Sequence, residues 1–179
     1  MHWATDRRAV NLAGFIACVS MMAYALYAER VLGFEPCPLC MFQRVGVIGL
    51  GSVFLIAALH HPQGGRGAQV YAALIALSAT FPLYVSGRHV YIQNLPEGSV
   101  PACGASFDYM MDVFPLMTVV KKVLTGAGEC QKIDWAFLGL SMPGWVFLCV
   151  LALAGCGVWV NARGVQAARL TSKEASSPT

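Results

Sequence analysis

Charge is what this 179-residue chain has least of: 12% of its residues are charged while 57% are hydrophobic, against roughly 25% charged in soluble domains. That scarcity excludes an ordinary soluble globular domain. No cluster of lysines and arginines accompanies the net charge of +3, so nothing points to nucleic acid. Two cofactor signatures are also missing. No Gly-x-Gly-x-x-Gly opens a helix after a strand, and no Cys-x-x-Cys-His attaches haem, so the sequence carries no mark of a bound dinucleotide, flavin or haem.

Four stretches without any charge stand out instead: 9–28, 45–59, 67–87 and 135–162. A membrane-spanning helix needs about 20 apolar residues. The first, third and fourth qualify directly; the second does so by borrowing Cys40 to Gln43. The first run is too long, and too poor in a small-residue cleavage site, for a removed signal peptide, and is expected to persist as a helix. The expected fold is all-α, a polytopic bundle of four transmembrane helices in a single domain over 1–179. Its spans lie at about 9–28, 41–59, 68–87 and 143–162. Two extracytoplasmic loops, about 29–40 and 88–142, lie across the membrane from the N-tail, the 60–67 loop and the C-tail.

Orientation follows from the basic residues of the short connections. The tail side carries Arg7, Arg8, Arg66, Arg163, Arg169 and Lys173 against only Asp6 and Glu174. On the other side Arg30, Arg44, Arg88, Lys121, Lys122 and Lys132 are balanced by seven acids. Both termini are therefore expected in the cytoplasm.

This placement sorts the seven cysteines. Cys18, Cys149 and Cys156 fall within apolar spans, where cysteine serves as a small hydrophobe. Cys37, Cys40, Cys103 and Cys130 all fall outside the cytoplasm, in a compartment that permits disulfides. Four cysteines allow three connectivities, and spacing alone leaves them open. A staple across the long second loop is the bland reading of Cys103 and Cys130. Against it, Cys103 sits in LPEGSVPACGAS, whose prolines and glycines imply an extended, exposed segment. An exposed disulfide is readily attacked and exchanged. Beyond it, Phe107, Met110, Met111 and Phe114 recur at helical spacing before Pro115 breaks the pattern. This suggests a short amphipathic segment on the membrane surface.

In EPCPLCMFQR, Pro38 suits the first position of a helix, which makes Cys37 its cap and sets Cys40 in the first turn. The partial positive charge there favours a thiolate. Arg44 follows at i+7 from Cys37 on the same face, and a cation at that depth should face the interior or a ligand. Zinc is set aside, and no metal site is expected, because Cys103 and Cys130 stand alone with 26 residues between them. Two disulfides beside a membrane suggest relayed exchange that ends in a small lipid-soluble oxidant, for which a quinone is the natural candidate.

With four spans, Cys-x-x-Cys before Arg44, the second pair Cys103 and Cys130, and DWAFLGLSMPGW at 134–145, the chain resembles the DsbB family. These are bacterial inner-membrane thiol:quinone oxidoreductases that reoxidise the periplasmic oxidant DsbA. The resemblance implies an enzyme that passes electrons through Cys103–Cys130 and then Cys37–Cys40 to ubiquinone or menaquinone. It implies that Cys103 takes the attack of a DsbA-like thioredoxin-fold partner and that Cys130 resolves the mixed disulfide. Cys40 would make the thiolate contact with the quinone, Arg44 would help to bind it, and His89 in GRHVYIQNL would lie nearby. Where some members carry glutamate before the arginine, this chain has Gln43. Two alternatives stand beside this reading: a paralogue dedicated to one particular partner, and a membrane adaptor whose disulfides are purely structural.

Overall fold

A lipid-facing backbone must satisfy its polar groups internally, so apolar runs of this length become helices. The computed structural model describes residues 7–60, 65–96, 112–125, 128–133 and 135–175. Its elements are α1 (Arg7–Arg30), α2 (Pro38–His60), α3 (Gly65–Gln93), α4 (Leu116–Thr125), a 3-10 turn (Gly128–Gln131), β1 (Ala136–Phe137), β2 (Leu140–Ser141) and α5 (Met142–Ala175). Among the described residues four helices are long and apolar enough to cross a membrane: Arg7–Arg30, Pro38–His60, Arg66–Gln93 and Met142–Arg163. The molecule is thus an all-α membrane bundle. One small departure is the hairpin, in which Ala136 pairs with Ser141 and Phe137 with Leu140.

α1 packs on α2, α2 on α3, and α3 most extensively on α5. The central core gathers Cys18, Val47, Leu50, Phe54, Ile75, Ala79, Val150 and Ala154. Phe54 is seated by glycines: a Cβ at Gly14 would stand 2.9 Å from its ring, and one at Gly157 2.7 Å. Large apolar side chains also point outward, among them Ile16, Ile48, Leu59, Leu77 and Leu151. Being apolar inside and out is what a helix in lipid requires.

A second core lies at the end where α1 and α3 finish and α2 and α5 begin. It joins Cys37, Leu39, Val85, Ile92, Val119, Val123 and Cys130. α4 contributes Val119 and Val123, one turn apart, and starts directly after Pro115, whose carbonyl accepts from the Thr118 and Val119 amides at 2.8 and 3.1 Å. The amphipathic segment anticipated over 107–114 lies largely outside the described residues. The described amphipathic helix is α4, with Leu116 and Met117 exposed in its first turn.

The tight link between α1 and α2 rests on Gly33. Its φ of +73° lets the Phe34 amide fold back onto the Ala28 carbonyl at 3.1 Å, and only glycine adopts this conformation without cost.

Candidate functional site: a buried sulfur cluster at a cavity wall

Pro38 opens α2, and the amides of Cys40 and Met41 bond the Cys37 carbonyl at 2.9 and 3.2 Å. The first turn therefore carries both cysteines on one side, and their Sγ atoms lie 3.1 Å apart. Cys37 is buried, Cys40 half-buried.

Two distant segments meet this turn. α3 delivers His89, which is 2% exposed, with Nε2 at 3.7 Å from Cys37 Sγ and 3.2 Å from the Cys130 carbonyl oxygen. Its Nδ1 lies 3.1 Å from Gln43 Nε2. A carbonyl only accepts, so Nε2 carries the proton toward Cys130; Nδ1 then accepts, and Gln43 donates its amide hydrogen. Gln43 is itself buried. The 3-10 turn delivers Cys130, also buried. It is held by Gln131, whose Nε2 donates to the carbonyls of Leu95 and Pro96 at 2.8 and 3.0 Å. Cys130 thus sits against Cys37. The Cys37 thiol is held well above the usual thiol range, first by its hydrogen bond with Cys130, then by that with Cys40, then by burial. Cys103, expected as the partner of Cys130, lies outside the described residues.

Arg44 stands one turn further along α2. Its Nη1 forms a salt bridge with Glu29, its Nη2 donates to the Ala25 carbonyl at 3.2 Å, and Met41 Sδ lies 3.9 Å away. The guanidinium is therefore held between α1 and α2. Glu29 was counted in the sequence only as a loop acid. A signal existed, since a lone acid ending one apolar run and a lone arginine opening the next meet across a short connection. Gln43 had no such local signal, because its partner is 46 positions away.

Cys37, Cys40, Arg44, Glu29 and His89 line one cavity of about 1000 Å³. Met21, Met22 and Ala25 of α1, Met142, Pro143 and Val146 of α5, and Trp135 form an apolar part of its wall, and Glu35, Gln93 and Lys132 add polar groups. Trp135 packs edge-on against Tyr24, centroids 6.1 Å apart, and stacks on Phe137. Sulfur and a guanidinium thus face an apolar stretch of wall within a chamber that also has polar lining. Such a site suits a flat apolar molecule with polar oxygens.

A family model described as "Disulfide bond formation protein DsbB" matches residues 7–160. The chain is 46% identical over 156 residues to disulfide bond formation protein B of Saccharophagus degradans, covering 87% of this chain and 93% of that one. It is 43% identical over 165 residues to the protein of that name from Nitrosococcus oceani, covering 92% and 97%. For that of Marinobacter nauticus the identity is 47% over 149 residues, covering 82% and 88%. A model match spanning nearly all the apolar helices, with relatives this similar along almost their whole length, places the chain in the DsbB family of disulfide bond formation proteins.

Proposed function

We propose that this chain reoxidises a DsbA-like periplasmic dithiol protein and passes the electrons through its two cysteine pairs to membrane quinone. As a DsbB-family member it is an oxidoreductase of disulfide bond formation. The observation that carries the finer reading is the contact of Cys130 with Cys37, which itself lies 3.1 Å from Cys40. Three sulfurs in succession are the geometry that disulfide exchange needs, because a thiolate must reach the sulfur it attacks.

The steps balance in electrons. A thiolate of the partner attacks Cys103 of a Cys103–Cys130 disulfide, forming a mixed disulfide and freeing Cys130. Cys130 attacks Cys37 of the Cys37–Cys40 disulfide; that bond breaks, Cys37–Cys130 forms, and Cys40 leaves as a thiolate. The partner's second thiolate resolves the mixed disulfide, so the partner departs oxidised and Cys103 is reduced. Cys103 then attacks Cys130, restoring that pair and leaving Cys37 and Cys40 as the dithiol. Quinone, when bound, supplies a two-electron, two-proton acceptor. Within this chain Cys40 would face it, Arg44 would donate hydrogen bonds to its oxygen, and the apolar walls of α1 and α5 would enclose its ring. The protonated Nε2 of His89 steadies the Cys130 segment through its carbonyl.

The chain would lie in the bacterial inner membrane with both termini cytoplasmic, as its basic short connections favour. The spans and loops would follow the boundaries expected from the charge-free stretches, which places the sulfur cluster at the periplasmic face.

The test is quinone reduction by the purified protein with reduced DsbA and a soluble quinone. Cys40→Ser is expected to abolish it. Cys103→Ser is expected to abolish mixed-disulfide formation as well, with at least about a 10³-fold loss of rate, the scale of removing an essential nucleophile. If Cys103→Ser membranes oxidised DsbA at the parent rate, the relay would be wrong.

A further inference from the structure

We propose that, once its thiols are reduced, the buried cluster of Cys37, Cys40, His89 and Cys130 binds a soft divalent metal ion of the zinc class. The Sγ atoms of Cys37 and Cys130 and a ring nitrogen of His89 all lie within 4.8 Å of one another. In a tetrahedral site with Zn–S of about 2.3 Å and Zn–N of about 2.0 Å, ligand atoms stand roughly 3.5–3.8 Å apart. Cys37 Sγ and His89 Nε2 already meet that spacing at 3.7 Å. Cys40 Sγ, 3.1 Å from Cys37 Sγ, stands outside the set of donors that lie within 4.8 Å of one another, and it becomes the fourth ligand by turning its side chain about the Cα–Cβ bond.

The donor set chooses the metal. Three sulfurs and an imidazole select soft or borderline ions and reject magnesium and calcium, which take oxygen. Cys37, His89 and Cys130 are 8%, 2% and 1% exposed, so three of the donors are shielded from bulk water, while half-buried Cys40 lines the cavity. The zinc reading set aside from sequence alone counted Cys103. Here the histidine takes that place.

Binding has a definite proton balance. Three thiols become thiolates and release three protons. His89 moves its proton from Nε2 to Nδ1, freeing the Nε2 lone pair for the ion. Gln43 permits this because an amide can present either end: turned over, its Oε1 accepts from Nδ1–H. A second group fixing the tautomer of a metal-bound histidine is the usual outer arrangement. Any disulfide among Cys37, Cys40 and Cys130 removes two ligands, so the oxidised chain and the metal-bound chain exclude each other. Metal would therefore hold the reduced chain out of turnover. That consequence rests on the proposed relay; the binding itself does not.

The experiment uses the full chain in detergent, reduced, freed of reductant without air and titrated with Cd²⁺, which reports thiolate ligation by charge-transfer absorption. One Cd²⁺ per chain is expected, and none after oxidation with diamide. A variant with Cys18, Cys149 and Cys156 all changed to serine should bind as the parent does. Cys130→Ser and His89→Ala should each weaken binding at least tenfold, and Gln43→Leu by roughly 10- to 100-fold. The ¹¹³Cd chemical shift of the parent chain distinguishes three sulfurs plus nitrogen from four sulfurs, so the test survives even where a variant fails to fold. No saturable binding, a four-sulfur shift, or binding lost in Cys103→Ser but untouched in His89→Ala would overturn the proposal. Neither DsbA nor quinone takes part, so failure of the relay leaves this outcome unaffected.

Discussion

Arg44 is held by Glu29 rather than left to reach for the membrane surface, and this sets what each residue does. Their side chains are 17% and 33% exposed, so the pair is partly shielded from the solvent that makes surface pairs nearly worthless. Hydrogen bonds to charged groups contribute about 1.5–3 kcal/mol. Arg44→His is accordingly expected to raise the apparent KM for quinone roughly 10- to 100-fold. Glu29→Gln, which keeps an acceptor, should raise it only a few-fold. A quinone titration unchanged in Arg44→His would remove Arg44 from the site. Cys37 gives a pH signature. Its thiol is pushed up, chiefly by Cys130, so in the reduced chain it stays protonated at about pH 8, where an ordinary cysteine of pKa about 8.5 is already partly thiolate. Its alkylation by iodoacetamide, followed by mass spectrometry, should be at least about tenfold slower than in the unfolded chain. Cys130→Ala should bring it closer to the unfolded rate. The sign for stability follows from the upward shift. The contribution of this one thiol is complete below the unfolded pKa and is lost as pH climbs through the folded value.

Among the helices, the approach of α2 to α3 decides whether Gln43 reaches His89. Gly46 lies one turn beyond Gln43, and a Cβ there would meet Pro82 Cβ at 2.8 Å, its Cδ at 3.0 Å and Phe81 Cδ1 at 3.1 Å. The proline ring cannot rotate away. Gly46→Ala is expected to destabilise by about 1–3 kcal/mol, the cost of overpacking, seen as a lower melting temperature in detergent. Gly49 has nothing within 4 Å of the same added carbon, so Gly49→Ala should be neutral or slightly stabilising. Equal effects of the two substitutions would show that the α2–α3 approach is not what Gly46 protects. The hairpin before α5 carries its own strain. Leu138 has a φ of +52° beside Gly139 at +79°, left-handed at both turn positions, as a tight hairpin demands. That turn, with Phe137 against the Trp145 ring and the Trp145 indole donating to the Phe137 carbonyl at 3.1 Å, holds Trp135 over the cavity.

At the scale of the molecule, the bundle is closed at the end away from the sulfur cluster by a buried amide pair. Asn161 Nδ2 donates to Asn11 Oδ1 at 3.0 Å and to the Gly157 carbonyl at 2.8 Å, while Asn11 Nδ2 donates to Asn161 Oδ1 at 3.4 Å. Both residues are 1% exposed. Since α1 and α5 are the first and last helices, this pair ties the two ends of the chain together. Interhelical hydrogen bonds in membranes couple by about 0.6 kcal/mol on average and up to about 1.7. A double-mutant cycle of Asn11→Ala and Asn161→Ala, read by unfolding in detergent, should return a coupling in that range. Zero coupling would mean that helix packing alone holds α1 to α5.

How much of this was legible in advance depends on the distance over which the cause acts. The four apolar helices were legible because lipid leaves a long uncharged run no choice but to bond its backbone within itself. The start of α2 at Pro38, and the turn that aligns Cys37 with Cys40, were legible because capping is decided within four residues. The sequence by itself therefore determined an all-α membrane bundle with a dithiol at a helix start and an arginine one turn on. Only the tertiary structure decided that Cys130 lies on Cys37, that His89 is fixed by Gln43, and that Glu29 holds Arg44. Those contacts join segments that no spacing rule relates, and they exist because packing α3, α4 and the 3-10 turn over the start of α2 brings these buried groups within reach of one another.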